Sequence, residues 1–381
     1  MKKLMKCLFL IILSGCGTDD PIVEIPELNE IRITSSVGDL IDLGSEVSLT
    51  VSGFDQFEKS IAITETVVWS VNNNNVSVDQ NGKVTALAVG ESIITATVDE
   101  FTDTYEIEVW DSTAPRTEIY VSDAGNFNSP PWQILKYKED GSDPQVFITE
   151  QLGWPQDILF MENEGTVLVS NLNTGNLAKY NAETGVFISN FAIGIGQPTR
   201  MKIGPDDLLY VLQWAGNGKV LRYQLDGTPV DEFTDVGVVQ SIGLDWDVDG
   251  NLYVSSFNDK TVRKFDTSGN DLGLFVNSDL QGPTNIWFDE SGVLWVNDWQ
   301  GNSVKRFDAD GNFLGTQISG IGNPEGIDFM DNGNLLIGSS SGGNGLVKMY
   351  NSSGSFISDL VPSGSGNLIA ANAVVIRRIN Q

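Results

Sequence analysis

Four side chains able to present oxygen ligands, Asp157, Asn285, Glu325 and Asn372, recur near the starts of short apolar segments that share one pattern. Convergent carboxylates and amides of this kind suit a hard cation such as calcium, which takes about six to eight oxygen ligands in loose geometry. Arg200 and Lys202 occupy the same pattern, so the alternative is a hydrated channel in which these two cations neutralise Asp157, Asp245 and Asp328. A second group, Trp154, Trp214, Phe257 and Trp299 with Asp298 and Asn171, points to recognition rather than bond breaking. Flat rings cover apolar ligand faces while neighbouring amides and carboxylates read hydroxyls or peptide groups. The competing reading of these aromatics is that they pack their own loops.

Composition excludes much other chemistry. The 381 residues contain no histidine, which removes the commonest general base and the commonest nitrogen ligand for zinc, copper and non-haem iron. The two cysteines, Cys7 and Cys16, leave no intramolecular disulfide or thiolate cluster in a chain processed at Cys16. A net charge of −29 disfavours nucleic acid and anionic lipid and favours divalent cations or basic partners.

Lys2, Lys3 and Lys6 precede an apolar run, Leu8 to Leu13, that ends in Ser14, Gly15 and Cys16. The run is too short to span a bilayer permanently, and small residues precede the cysteine as leader cleavage requires. This resembles a bacterial lipoprotein signal, which implies removal of residues 1–15 and acylation of Cys16. More than one acyl chain gives a stable membrane anchor. Asp19 and Asp20 resemble the surface-export signal of Bacteroidetes-type lipoproteins, so the expected location is the cell envelope, at the outer membrane and facing outward.

Residues 16–27, with Pro21 and Pro26, read as a tether. From 28 to 110 the chain alternates as strands do, through Ile31 and Ile33, Val47 to Val51, Val67 to Val71, Val84, Ile93 to Val98 and Tyr105 to Val109. Five to seven strands are expected, folded as a β-sandwich. The stretch from Trp69 through Asn81-Gly82 and Gly90 to Val98 resembles the bacterial Ig-like group 2 family, which implies a spacer or adhesive module. Trp69 is the expected core anchor and Asn81-Gly82 a hairpin turn.

Residues 111–116 form a linker, and beyond it the chain repeats itself. Tyr120-Val121 recurs as Leu168-Val169, Tyr210-Val211, Tyr253-Val254, Trp295-Val296 and Leu336-Ile337, at spacings of 48, 42, 43, 42 and 41 residues. A basic–aromatic pair follows in phase (Lys136-Tyr137, Lys179-Tyr180, Arg222-Tyr223, Lys264-Phe265, Arg306-Phe307), with Lys348-Met349-Tyr350 as a looser copy. Repeats of this length with four strands each are propeller blades, and the motifs together resemble NHL repeats. The expected fold is all-β: an Ig-like sandwich followed by a six-bladed β-propeller over 117–381. Because the first repeat lacks an opening strand, Asn372 to Ile379 is expected to complete it, leaving no open sheet edge.

Along each opening strand one apolar set (Ile158, Phe160; Met201, Ile203; Ile286, Phe288) is expected to pack between blades. The intervening set, including Asp157, Leu159, Arg200, Asn285 and Trp287, should then line the channel. The candidate cation set faintly resembles the metal site of the SMP-30 and gluconolactonase propellers. Streptogramin lyases and peptidylglycine-amidating lyases, also propellers, rely on histidine that is absent here. Asp247-Val248-Asp249-Gly250-Asn251 and its copy at 308–312 resemble the start of an EF-hand loop but lack the distal glutamate, so they read as turns. The function expected is a non-catalytic envelope protein whose propeller binds a glycan, peptide or protein, with no cofactor. The alternatives are a histidine-free, calcium-dependent hydrolase or lactonase using Asp157, Asn285, Glu325 and Asn372, and a structural adhesin.

Overall fold

The computed structural model describes residues 25–340 and 344–380; Cys16 and the leader lie outside them. No helix among the described residues is long and apolar enough to cross a membrane. The chain divides into two compact units, one ending at Ala114 and one beginning at Pro115.

The first unit is a sandwich of two sheets. Leu28–Ser35, Glu46–Asp55, Lys83–Ala86 and Val76–Val78 make one sheet, with Ser60–Ile61 added to Glu46–Asp55. Leu40–Asp42, Phe101–Trp110, Gly90–Val98 and Val68–Val71 make the other. Alternation sends Ile31, Leu49, Ile94, Ala96, Ile107 and Val109 inward, where they bury Trp69. Gly82 takes a left-handed φ of 77°, and a Cβ there would lie 2.8 Å from the Trp69 ring, so the Asn81-Gly82 turn and the anchor form one packing unit. Among the described residues the sandwich has nine strands rather than five to seven. The additional ones, Leu40–Asp42, Ser60–Ile61 and Val76–Val78, have two or three residues, too few for alternation to show in the sequence.

The second unit is a propeller of six four-stranded antiparallel sheets. The innermost strands of blades two to six are Pro155–Met161, Pro198–Ile203, Ser241–Trp246, Pro283–Phe288 and Pro324–Phe329. Blade one is completed by the C-terminal strand Ala371–Ile379, which pairs antiparallel with Arg116–Asp123. The recurrent hydrophobic pairs fall on the second strands, which are buried on both faces. The aromatics of the basic–aromatic pairs fall on the third strands and are at most 7% exposed.

Alternation along the inner strands has a different meaning from the one expected. Both faces of a radiating blade are covered, so alternate side chains meet the preceding and the following blade. Phe160 and Phe288 lie edge-to-face on Tyr120 and Tyr253 of the preceding blades, with ring centroids 4.7 Å apart in both pairs. Leu159 packs toward blade three, and Trp287 stacks on Trp295 and meets Phe329 of blade six rather than lining the channel. Asp157, Asp245 and Asp328 likewise turn to the following blade and accept the backbone N–H groups of Met201, Phe288 and Ile376 at 2.7–2.8 Å.

A second set of bonds joins blade to blade near the axis. The Asn372 amide donates to the Pro155 carbonyl, and the Ser170 hydroxyl to that of Thr199. Thr199 donates to Ser241, Ser255 to Thr284, and Thr284 to Pro324. With the Asp328–Ile376 bond, these contacts join every neighbouring pair of blades, the sixth to the first included. The buried Asp123 carboxylate reinforces blade one by accepting from Gly125, Gln133, Ile369 and Ala370.

Deleting residues 372–381 removes the inner strand of blade one and the buried Val374, Ile376 and Ile379. At roughly 1.5–3 kcal/mol per buried side chain, and about 2–4 °C per kcal/mol in a unit of this size, the propeller's Tm should fall by roughly 10 °C or more. Scanning calorimetry of the full and shortened chains checks this, and an unchanged transition contradicts it.

Candidate functional site

The loops leaving the second strands share one construction. The last residue of the strand is a polar peg: Asp123, Asn171, Gln213, Ser256, Asp298 or Ser339. Each peg bonds the connection leading into an inner strand. Asn171 Oδ1 accepts from Gly153 N, Gln213 Oε1 from Gly196 N, and Asp298 Oδ1 from Gln281 N and Gly282 N. The residue after the peg then donates its own N–H to that connection: Leu172 to Trp154, Trp214 to Gln197, Phe257 to Gln240 and Trp299 to Gly282, at 2.8–3.2 Å. Peg and clasp together fix the direction of the residue that follows.

That residue lines a bowl. Phe127, Trp154, Leu172, Trp214, Phe257 and Trp299 form the wall of a cavity of about 190 Å³, with Gln156, Ile242, Thr284 and Glu325 completing it. Its lining is mainly apolar. The rings touch in sequence, with centroids 5.3 Å apart for Phe127–Trp154, 5.7 Å for Trp214–Phe257 and 6.0 Å for Phe257–Trp299. Trp154, Trp214, Phe257 and Trp299 therefore converge from separate loops. Phe127 joins them on a loop held by the Trp132 indole N–H, which donates to the Phe127 carbonyl.

Asn171 and Asp298 are elsewhere. Both are fully buried pegs, and Asp298 also pairs with Lys305 at 2.6 Å, so neither carries a polar group into the bowl. The sequence does hold a signal for this: a polar residue at the same phase of every repeat serves the repeat, whereas the position after it varies among alanine, leucine, tryptophan, phenylalanine and serine.

The four candidate cation ligands are held apart by an arginine. Arg200 donates to Asn285 Oδ1 at 3.0 Å and to the Asn372 carbonyl at 2.9 Å, and lies 3.5 Å from Glu325. Its guanidinium occupies the place a cation shared by Asn285 and Glu325 would need. Asn372 spends its side-chain amide on Pro155, and Asp157 accepts Met201 N. Lys202 pairs with Asp245 at 2.5 Å. Among the described residues no group of three or more acidic, cysteine or histidine side chains is placed to hold a metal. As placed, the four candidate side chains are engaged by protein groups.

Among the described residues, Glu325 is the one charged group at the bowl's surface. Burial pushes its carboxyl up to about 7, against the downward pull of Arg200. Burial also raises Asp157 and Asp328 above the usual carboxylate range. The Asp247 and Asp308 motifs are hairpin turns, each aspartate accepting the backbone N–H groups two and four residues on.

Residues 44–109 match the family model described as bacterial Ig-like domain (group 2). The chain is similar in fold to a solved chain from a nidogen/laminin complex, with 14% identity and a TM-score of 0.57 over 70% of this chain and 99% of the other. It is also similar to a protein of unknown function from Bacteroides caccae, at 17% identity and a TM-score of 0.54 over 70% of this chain and 100% of the other. No curated protein matches it.

The raised carboxyl has a consequence for stability. Glu325 ionises near 4.5 in the unfolded chain and near 7 in the folded one, so the folded state holds the extra proton between those values. Stability present at pH 5 is therefore lost as pH rises to 7, by roughly 3 kcal/mol at most. Glu325→Gln lacks this loss. The Tm of the variant relative to the natural protein should climb between pH 5 and pH 8, and a difference independent of pH would show that Glu325 ionises normally.

Proposed function

We propose that this chain is a non-catalytic binding protein of the bacterial cell envelope, anchored through acylated Cys16, whose propeller offers the aromatic bowl to a glycan, peptide or protein. The observation that carries the reading is the convergence of Trp154, Trp214, Phe257 and Trp299 on one mainly apolar cavity. Concave apolar sites with a few fixed polar groups are where ligands dock. Rings held by pegs and clasps lose little freedom on binding, which favours affinity. A nidogen/laminin complex includes a chain of similar fold, which is in keeping with a protein partner. A hydrolytic reading has less support, because Arg200 bonds Asn285 and lies 3.5 Å from Glu325, two of the four ligands that reading needs.

The Ig-like unit is assigned the role of spacer between anchor and propeller. The acyl anchor is tested by Cys16→Ala, which should move the protein from the membrane fraction to the soluble fraction and abolish labelling by a fatty-acid analogue. Continued labelling of the variant would refute acylation at Cys16.

Glycan and peptide arrays probed with the whole protein test the binding reading. Retention on a defined subset is expected, with at least a tenfold loss for the Trp214→Ala/Trp299→Ala double variant at unchanged Tm. Retention unaffected by the double substitution would assign binding to another surface.

A further inference from the structure

We propose that the bowl receives a cationic side chain, the ammonium or guanidinium group of a basic peptide or protein, with Glu325 as its counter-ion. This rests on the binding reading above and narrows its ligand.

The chain itself supplies the precedent. Arg222 lies 4.6 Å over the Phe233 ring while pairing with Asp231 at 2.6 Å. Lys264 lies 5.1 Å from the Tyr253 ring and 3.3 Å from Asp247. Arg377 lies 4.6 Å over Phe160 and pairs with Glu162 at 2.8 Å. In each case a ring and a carboxylate hold a cation between them, combining attraction to the ring quadrupole with a charge-assisted contact. The bowl presents the first two members of this triad in larger measure. Three tryptophans and two phenylalanines surround one carboxylate, and among the described residues no lysine or arginine lines the cavity.

Glu325 is placed to be the third member's partner. Only 8% of the residue is exposed, and its carboxylate accepts no hydrogen bond among the described residues. Arg200 lies 3.5 Å from it and is not among the residues that line the bowl. The cavity of about 190 Å³ has room for a single side chain rather than a folded element. At long range, the net charge of −29 draws basic partners toward the chain and repels acidic ones.

The pH dependence follows from the same geometry. The charged group facing Glu325 is Arg200; the other cavity elements contribute aromatic or aliphatic side chains and the neutral Gln156 and Thr284. A cation binds the ionised carboxylate, whose free-protein pKa is about 7. Affinity should level off above pH 8 and fall by up to about tenfold per pH unit below roughly 6.

The experiment titrates the whole protein, followed by tryptophan fluorescence, with two short peptides identical except for a central lysine or norleucine. At pH 8 the lysine peptide should bind at least tenfold more tightly, and the preference should shrink at pH 5.5. Glu325→Gln should abolish the preference while keeping the far-ultraviolet spectrum and the cooperative melting transition of a folded protein. Equal or tighter binding of norleucine overturns the inference but leaves the aromatic face as a binding site. Neutral glycans captured on the arrays, with neither peptide bound, also overturn it, whereas loss of every ligand's dependence on Trp214 and Trp299 defeats the broader reading instead.

Discussion

Buried hydroxyl and amide side chains around the propeller axis form the contact on which the rest of that unit depends. Ser170, Thr199, Ser255, Thr284 and Asn372 are each almost fully buried, and each gives its hydrogen to a backbone carbonyl of a neighbouring blade. A buried polar group without a partner costs on the order of 1–3 kcal/mol, so these bonds set the relative placement of blades as well as joining them. Arg200 spans the axis inside this collar, touching blades one, five and six from blade three. Since the pegs hang their loops on inner-strand connections, the collar determines where Trp154, Trp214, Phe257 and Trp299 stand. The bowl follows from blade spacing.

Much of this was legible in the residues. The recurrent Tyr120-Val121 and Lys136-Tyr137 pairs give the number of blades, because a second strand buried on both faces and a third strand with one inward aromatic repeat in every sheet. The partnership of the C-terminal strand with blade one follows from a missing strand at the other end. The aromatic wall was legible too, since the loops after the second strands emerge on a common face. What the sequence concealed was direction. Period-two alternation says that Asp157 and Ile158 point opposite ways, but not that the two ways are the neighbouring blades rather than a blade and a channel. That distinction depends on sheets radiating from an axis, a tertiary fact. It is why Trp287 was expected in the channel yet packs on Trp295 and Phe329.

The same geometry explains why Asp298 and Asn171 read as ligand-binding residues although both side chains are buried and bonded to backbone. A polar residue beside a tryptophan at a loop start looks like a recognition pair. In the folded chain it is the peg that aims the tryptophan. Arg200 and Lys202 read as neutralisers of Asp157, Asp245 and Asp328. Lys202 pairs with Asp245 and Arg200 pulls the Asp157 carboxyl downward, while the Arg200 guanidinium also takes an amide, a main-chain carbonyl and Glu325. Phe127 escaped notice because its loop is longer than the others and its repeat is the irregular one, so phase gave no guide to it.

Division of labour in the propeller unit is thus between a polar collar that fixes geometry and an aromatic rim that faces outward, with Glu325 between them. The measurement that tests this most directly is hydrogen exchange with a captured partner bound. Slowed exchange should be confined to the backbone amides of Phe127, Trp154, Trp214, Phe257 and Trp299 and their loop neighbours. Protection centred on the sandwich unit, or on the turns at Asp247–Gly250 and Asp308–Gly311, would contradict the account.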